Sequence, residues 1–276
     1  MNEAKLRDQF NLKDKVAVIT GGTGVLGGVM ARSLAQLGVT VNILGRNAER
    51  ARTIVEEIRG QEGEAFDYVV DVLDQSALEK VREEIIGNCG KIDILINAAG
   101  GNMPGATIMP DKTFLDLSMD ALKGVVDLNY HGSVLPTLVL MDTFVKQKRG
   151  IVINISSMAA QRPLSRVMGY ASSKAAIDNF TKWLAVEMAK KVGEGIRVNA
   201  IAPGFFVTEQ NRTLLFDEEG VLSRRGRQII DHTPFKRFGD PEELIGAVVW
   251  LCSDASKFVT GTVIPVDGGF SADCGV

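Results

Sequence analysis

The stretch "VAVITGGTGVLGGVMARSLAQLG", residues 16–38, carries the fold of this chain in miniature. It opens on a short apolar, β-branched run, passes through a cluster of glycines, and continues with apolar residues recurring every three to four positions. That is the pattern of a buried strand, a tight turn and an amphipathic helix. The turn, "TGGTGVLGG" at 20–28, read with Gly22, Gly24 and Gly27, fits the glycine fingerprint of dinucleotide-binding folds. Glycines there allow a tight turn and close backbone approach, and the helix N-terminus presents free amides to a pyrophosphate. The candidate contacts are Gly21, Gly22, Thr23, Gly24, Leu26 and Gly27. Glycine-rich turns also serve only to pack a helix on a strand, but the flanking strand and helix favour binding.

The same alternation extends outward. Apolar runs begin at 16, 39, 65, 92, 150, 196 and 262, and read as seven strands buried on both faces. Segments of helical period separate them, including a long one from about 118 to 149 and another beginning at "YASSK". Strand alternating with helix implies α/β architecture: a doubly wound, Rossmann-type, seven-stranded parallel sheet with helices on both faces. No linker or repeat interrupts it, so residues 1–276 are expected to form one domain. Ligands of such sheets bind beyond the strand carboxyl ends, here after Thr20, Leu44, Val70, Asn97, Ile155 and Ala202. Two stretches at that end, 100–120 and 204–239, exceed ordinary loop length. The second is expected to fold into one or two small helices as a substrate lid.

Composition narrows the partners. With 45% hydrophobic and 24% charged residues and a net charge of −3, the chain has material for a large core and no basic patch for nucleic acid or anionic membrane. Cys89, Cys252 and Cys274 are scattered and odd in number, which suggests neither a disulfide framework nor a paired-cysteine zinc site. His131 and His232 lack a second ligand at metal-binding spacing, so no metal is expected. The first residues lack the apolar core of a signal peptide, and no run is long enough to span a bilayer, so a cytoplasmic location is expected.

Cofactor type turns on "NILGRNAER", the end of the second strand, where Arg46 and Asn47 stand and no acid is present. A carboxylate there would hold the ribose 2′-hydroxyl of NAD, whereas an arginine pairs with the 2′-phosphate of NADP. NAD(P)(H) is expected, with a lean to NADP(H); an Arg46 that stacks on adenine or lies in solvent leaves NAD open. In "YASSK", Tyr170 and Lys174 are at i and i+4 on one helix face. An ammonium beside a phenol lowers a pKa that is about 10 in isolation and suits the phenol to proton transfer. Ser157, at the end of the preceding strand, is placed to hold a substrate oxygen. Singly, each residue is as well explained by capping or solvation; their joint placement after a nucleotide loop is what points to chemistry.

With "TGGTGVLG", Asp71–Val72, "INAAG" at 96, "DLNYHG", "NISS", "YASSK", "RVNAIAPG" and "VTGTVIPVDGG" in this order, the chain resembles the short-chain dehydrogenase/reductase family from about Asp14 to Gly275. The resemblance implies Tyr170 as general acid/base, Lys174 as its partner and ribose contact, Ser157 as substrate-orienting hydroxyl, and Asn129 in a water-mediated proton relay. It also implies Asp71 and Val72 at the adenine, Asn97, Ala98 and Ala99 along the central wall, and Pro203, Gly204 and Thr208 at the carboxamide. Val25 stands where the family usually has a glycine. "NAAGGNMPGAT", "NISSMAAQRPL" and "NAIAPGFFVTEQNRTLL" resemble the sugar-acid branch, of the fructuronate reductase (mannonate oxidoreductase) type. The implied reaction interconverts D-fructuronate and D-mannonate.

From the residues themselves, Asn102, Gln161, Arg162, Gln210, Asn211 and Arg212 come from the three loops expected to line the substrate space. Arginine would give a bidentate carboxylate contact. The alternative is that Arg162, Arg166 and Arg212 lie in solvent or pair with acids such as Asp217 and Glu218. A gluconate or deoxygluconate dehydrogenase or other small-polyol reductase is the second enzymatic reading, and a non-catalytic nucleotide sensor the third. The resemblance further implies a homotetramer.

Overall fold

The apolar runs become seven parallel strands: β1 Val16–Thr20, β2 Thr40–Gly45, β3 Ala65–Val69, β4 Ile94–Asn97, β5 Gly150–Ile155, β6 Ile196–Pro203 and β7 Val263–Val266. The computed structural model describes residues 2–208 and 211–275. The strands form one sheet in the order β3-β2-β1-β4-β5-β6-β7. Helices α1 Glu3–Asp8, α2 Val25–Gln36, α3 Ala48–Gly60, α4 Gln75–Cys89, α5 Met119–Val126, α6 Gly132–Gln147, α7 Met168–Lys191, α8 Arg212–Leu215, α9 Arg224–Asp231 and α10 Ile245–Cys252 complete it.

Strand side chains alternate between two cores. Ile19, Ile43, Ile96, Ile153 and Ile201 pack under α2, α3 and α10. Val18, Leu44, Leu95, Val152 and Val198 pack under α4, α6 and α7. The expectation of strands buried on both faces holds for the inner five and fails at the edges. Val69 of β3 is 59% exposed, and every residue of β7 retains some exposure. An edge strand has a neighbour on one side only, so apolar content overstates its burial.

One polar residue in an inner strand needs an explanation. Arg197 of β6 is buried, and its guanidinium donates to the Leu251 and Ser253 carbonyls, both at 3.0 Å, and to Ser256 Oγ. It thereby satisfies carbonyls that the end of α10 leaves without helical partners.

The single long helix expected from 118 to 149 is interrupted. Between α5 and α6 lies a π-helical turn, Asp127–His131, containing Asn129. Among the described residues of 204–239, the chain forms the small helices α8 and α9, as expected. Helix α1 was not legible: all of it is exposed, and only the Asn2 side chain, accepting from Lys5 N, marks its start.

Candidate active site

The strand order reverses between β1 and β4, where Thr20 stands opposite Asn97. The chain leaves β1 for α2 on one face and leaves β4 for α6 on the other, so the loops part and open a crevice. Gly21 sits in the left-handed region at φ +63°, and a Cβ there would lie 2.6 Å from Ala99 N. A Cβ on Gly27 would overlap the Gly21 carbonyl. Gly24, by contrast, is the N-cap of α2, and the nearest atom to a Cβ there is Gly21 O at 3.3 Å. The most sterically demanding positions are therefore Gly21, Gly22 and Gly27, with Gly24 less crowded. Val25 is the first helical residue, where a side chain is accommodated. The first amides of α2 have no acceptor within the helix, and beside them the glycine cradle admits close backbone approach. These features fit a dinucleotide pyrophosphate.

Thr23 packs against Gly45, filling the space a Cβ would take. Arg46 and Asn47 are exposed, and Asn47 Oδ1 accepts from Arg50 N at 2.9 Å as the cap of α3. Asp71 Oδ1 accepts from Leu73 N at 3.0 Å, and Val72 is buried against Gly132. Ala98 and Ala99 wall the Gly21 turn. Asn97, next to them, spends its amide on Thr137 Oγ1 and Asn154 Oδ1, at 2.8 and 2.9 Å. Pro203 ends β6, Gly204 N donates to Val266 O at 2.9 Å, and Thr208 N donates to Asn211 Oδ1 at 2.8 Å.

Helix α7 begins two residues before Tyr170, which puts Tyr170 in its first turn and Lys174 one turn later. The Tyr170 hydroxyl lies near Ser157, and its ring packs on the cluster of Ala106, Leu122 and Val125. Ser156 turns away and donates to Asp178. Lys174 is buried, donates to Ile155 O at 2.7 Å, and lies 5.6 Å from the Tyr170 ring centre. Asn129 donates to Gly101 O and Val125 O, at 2.7 and 2.8 Å, and accepts from Gly101 N at 3.1 Å. A methyl group on Gly100 would touch both Asn129 Oδ1 and Lys174 Nζ, so these two groups flank one point of the backbone.

The electrostatics differ from the expectation in one respect. Tyr170 is pushed up from its ordinary value by burial, partly offset by Ser157, which pulls its pKa down, rather than held down by Lys174. Burial also lowers Lys174, to about 8, against the opposing pull of Asp178. Desolvation disfavours both charged forms at once, and Lys174 Nζ donates to the Ile155 carbonyl. Asp178, one turn beyond Lys174, was missed from the sequence, although the i+4 spacing that linked Tyr170 to Lys174 could have found it.

The substrate-space candidates are less convergent. Asn102 donates to Thr107 Oγ1 at 2.9 Å and accepts from Met103 N at 3.0 Å. Arg162 donates through Nε and Nη2 to Ser271 O, at 2.9 and 2.7 Å. Asn211 Nδ2 donates to Phe206 O at 2.8 Å, and Arg212 stacks on Phe216 at 5.5 Å. Gln161 is exposed, and Gln210 lies outside the described residues. The structure thus joins Ser157, Tyr170, Lys174 and Asn129, whereas Asn102, Arg162, Asn211 and Arg212 are engaged in loop contacts.

A glycine-cradled crevice beside a serine–tyrosine–lysine cluster defines an oxidoreductase of the doubly wound class. A family model described as enoyl-(acyl carrier protein) reductase matches residues 24–271. An uncharacterized oxidoreductase of Bacillus subtilis is 44% identical over 275 residues, spanning 96% of this chain and 98% of the relative. A Haemophilus structure with bound NAD, provisionally named a D-mannonate oxidoreductase, is 45% identical, with a TM-score of 0.89 and coverage of 96% and 98%. A Burkholderia cenocepacia gluconate 5-dehydrogenase in complex with NADP and tartrate is 30% identical, with a TM-score of 0.85 and the same coverages. The chain belongs to the short-chain dehydrogenase/reductase family.

Proposed function

We propose that this protein interconverts a keto and a hydroxy sugar acid, D-fructuronate and D-mannonate, with a nicotinamide dinucleotide. The observation that carries the proposal is the juxtaposition of Ser157 and Tyr170, with Lys174 one turn away on α7, at the crevice where the dinucleotide would lie. The dinucleotide, held in the glycine-lined crevice, would supply or accept the hydride at the carbon bearing oxygen. In reduction Tyr170 gives its phenolic proton to the keto oxygen, and in oxidation the phenolate takes the hydroxyl proton back. Ser157 orients that oxygen by a hydrogen bond. Lys174, with Nζ 5.6 Å from the Tyr170 ring centre, is the nearby positive charge when protonated, and Asn129 fixes the Gly101 backbone. With its pKa raised by burial, Tyr170 holds its phenolic proton at neutral pH.

Similarity to the Haemophilus structure supports the mannonate assignment, and the gluconate 5-dehydrogenase supports a second reading in which the substrate is a ketogluconate. For the cofactor, the exposed Arg46 and the absence of an acid at the end of β2 favour NADP(H). Helices α8 and α9 belong to the lid of this single domain. The proposal further includes a cytoplasmic homotetramer. Among the described residues no helix is long and apolar enough to cross a membrane.

The test is oxidation of NADH and of NADPH, followed by absorbance, with fructuronate, tagaturonate, 5-ketogluconate and a simple ketone. Turnover fastest with fructuronate is expected; turnover of the ketone alone would refute the sugar-acid reading.

A further inference from the structure

The loop that joins Ser157 to Tyr170 is tied down on three sides. Arg162 holds the C-terminal segment at Ser271, and Ile108 N donates to Arg166 O at 2.9 Å. From the lid, Arg225 on α9 reaches Ser165, with Nη1 3.0 Å from Oγ and Nη2 3.4 Å from the carbonyl. Arg225 and Arg166 are therefore brought together where the lid meets the loop leading into Tyr170.

Three features of the pair are unexplained by packing. Both side chains are half-buried, and among the described residues neither has a carboxylate in salt-bridge contact. Burial, with the like charge of Arg166 added, disfavours the charged form of Arg225, and no acid opposes these effects. Arg166 also holds a left-handed backbone at φ +76°, a conformation that favours glycine and costs a larger residue about 1 kcal/mol or more. A strained position occupied by arginine, beside a second arginine, is electrostatically incomplete without an anion.

We infer that Arg166 and Arg225 together receive the carboxylate of the substrate, so that the lid closes on the acid end while Ser157 and Tyr170 hold the reacting oxygen. The inference rests on the sugar-acid reading above and deepens it. A guanidinium offers paired donors matched to a carboxylate, and two such groups from separate elements would make the acid the link that fastens lid to loop. Arg225 already spends donors on Ser165, which sets its orientation, while the remainder of its fork is left for the ligand.

The experiment compares D-fructuronate with D-fructose, in which the carboxylate is replaced by a hydroxymethyl group, as the ratio of kcat/KM. The Arg166→Gly and Arg225→Gln variants are each expected to lower the acid-to-ketose ratio by about tenfold or more, the value of a charge-assisted hydrogen bond. Arg166→Gly removes the guanidinium while relieving backbone strain, so its melting temperature should be at or above that of the parent, which separates lost recognition from lost fold. Arg227→Gln, on the exposed part of α9, is the control and keeps the parental ratio. Calorimetric titration of D-mannonate and of D-mannitol into parent and Arg166→Gly protein gives a readout without turnover, with mannonate binding weakened and mannitol not. A parent that prefers the acid while both variants retain the full preference overturns the arginine assignment alone. A parent that neither reduces fructuronate in preference to fructose nor binds mannonate overturns the sugar-acid reading and this inference with it.

Discussion

Tyr170 holds its proton more tightly than a free phenol, while Lys174, with a pKa near 8, holds its own less tightly than a free amine. Lys174 thus loses its charge just above neutrality, and Asp178 is the group that retains it. Removing the Asp178 carboxylate takes away a raising influence, so the Lys174 pKa falls further. The alkaline limb of the kcat/KM profile in Asp178→Asn is expected to move to lower pH; an unmoved or alkaline-shifted limb would show that Asp178 does not act on Lys174. The other residue-scale prediction concerns Arg46, exposed at the end of β2. Arg46→Ala should raise KM for NADPH by about tenfold, the scale of one charge-assisted contact, and change KM for NADH little. An equal effect on both would place Arg46 away from the 2′-phosphate. Tyr170, Lys174 and Ser157 were legible because helical and strand spacing put them on one side. The contacts of Arg197, Asn97 and Arg225 were not, because each depends on a partner at least 40 positions away in the chain.

Among the elements, the turn from β1 into α2 bears most directly on ligand binding. Its glycine content was plain in the sequence, but which glycines are indispensable was not, since this depends on the backbone of Ala98 and Ala99 across the crevice. A Cβ at Gly27 must displace the Gly21 carbonyl, a shift costing about 1–3 kcal/mol. Gly27→Ala is therefore expected to weaken NADPH binding by about tenfold or more, measured by fluorescence titration, whereas Gly24→Ala should be much milder. Equal affinities in the two variants would count against the cradle described here. The number and approximate extent of the strands could be read because apolar runs and helical period alternate so regularly. The π-helical turn at Asp127–His131 could not, since a one-residue widening leaves the apolar spacing of a helix nearly intact.

On the scale of the molecule, apolar surface remains on the outer faces of α6 and α7. Leu138 and Val145 on α6 are 63% and 40% exposed, and Trp183 and Val186 on α7 are 60% and 53% exposed. Positions i and i+7, or i and i+3, share a helix face, so each pair makes a stripe. Sequence periodicity registers such stripes without saying whether a core or a second copy covers them, which is why assembly was expected only from resemblance. If these faces join copies of the chain into the proposed tetramer, Trp183→Asp should lower the mass measured by light scattering while leaving the helical signal of the subunit intact. An unchanged mass would place the contact elsewhere.

All three scales meet in the claim that the dinucleotide crevice and the half-buried phenol form one catalytic unit. The decisive measurement is therefore made on Tyr170→Phe, which keeps the ring packed on Ala106, Leu122 and Val125 and removes only the hydroxyl. The expected result is NADPH affinity within a few-fold of the parent, with fructuronate reduction slowed about 10²- to 10⁴-fold. Reduction at close to the parental rate would mean that the proton comes from another group, and that the cluster around Tyr170 is structural.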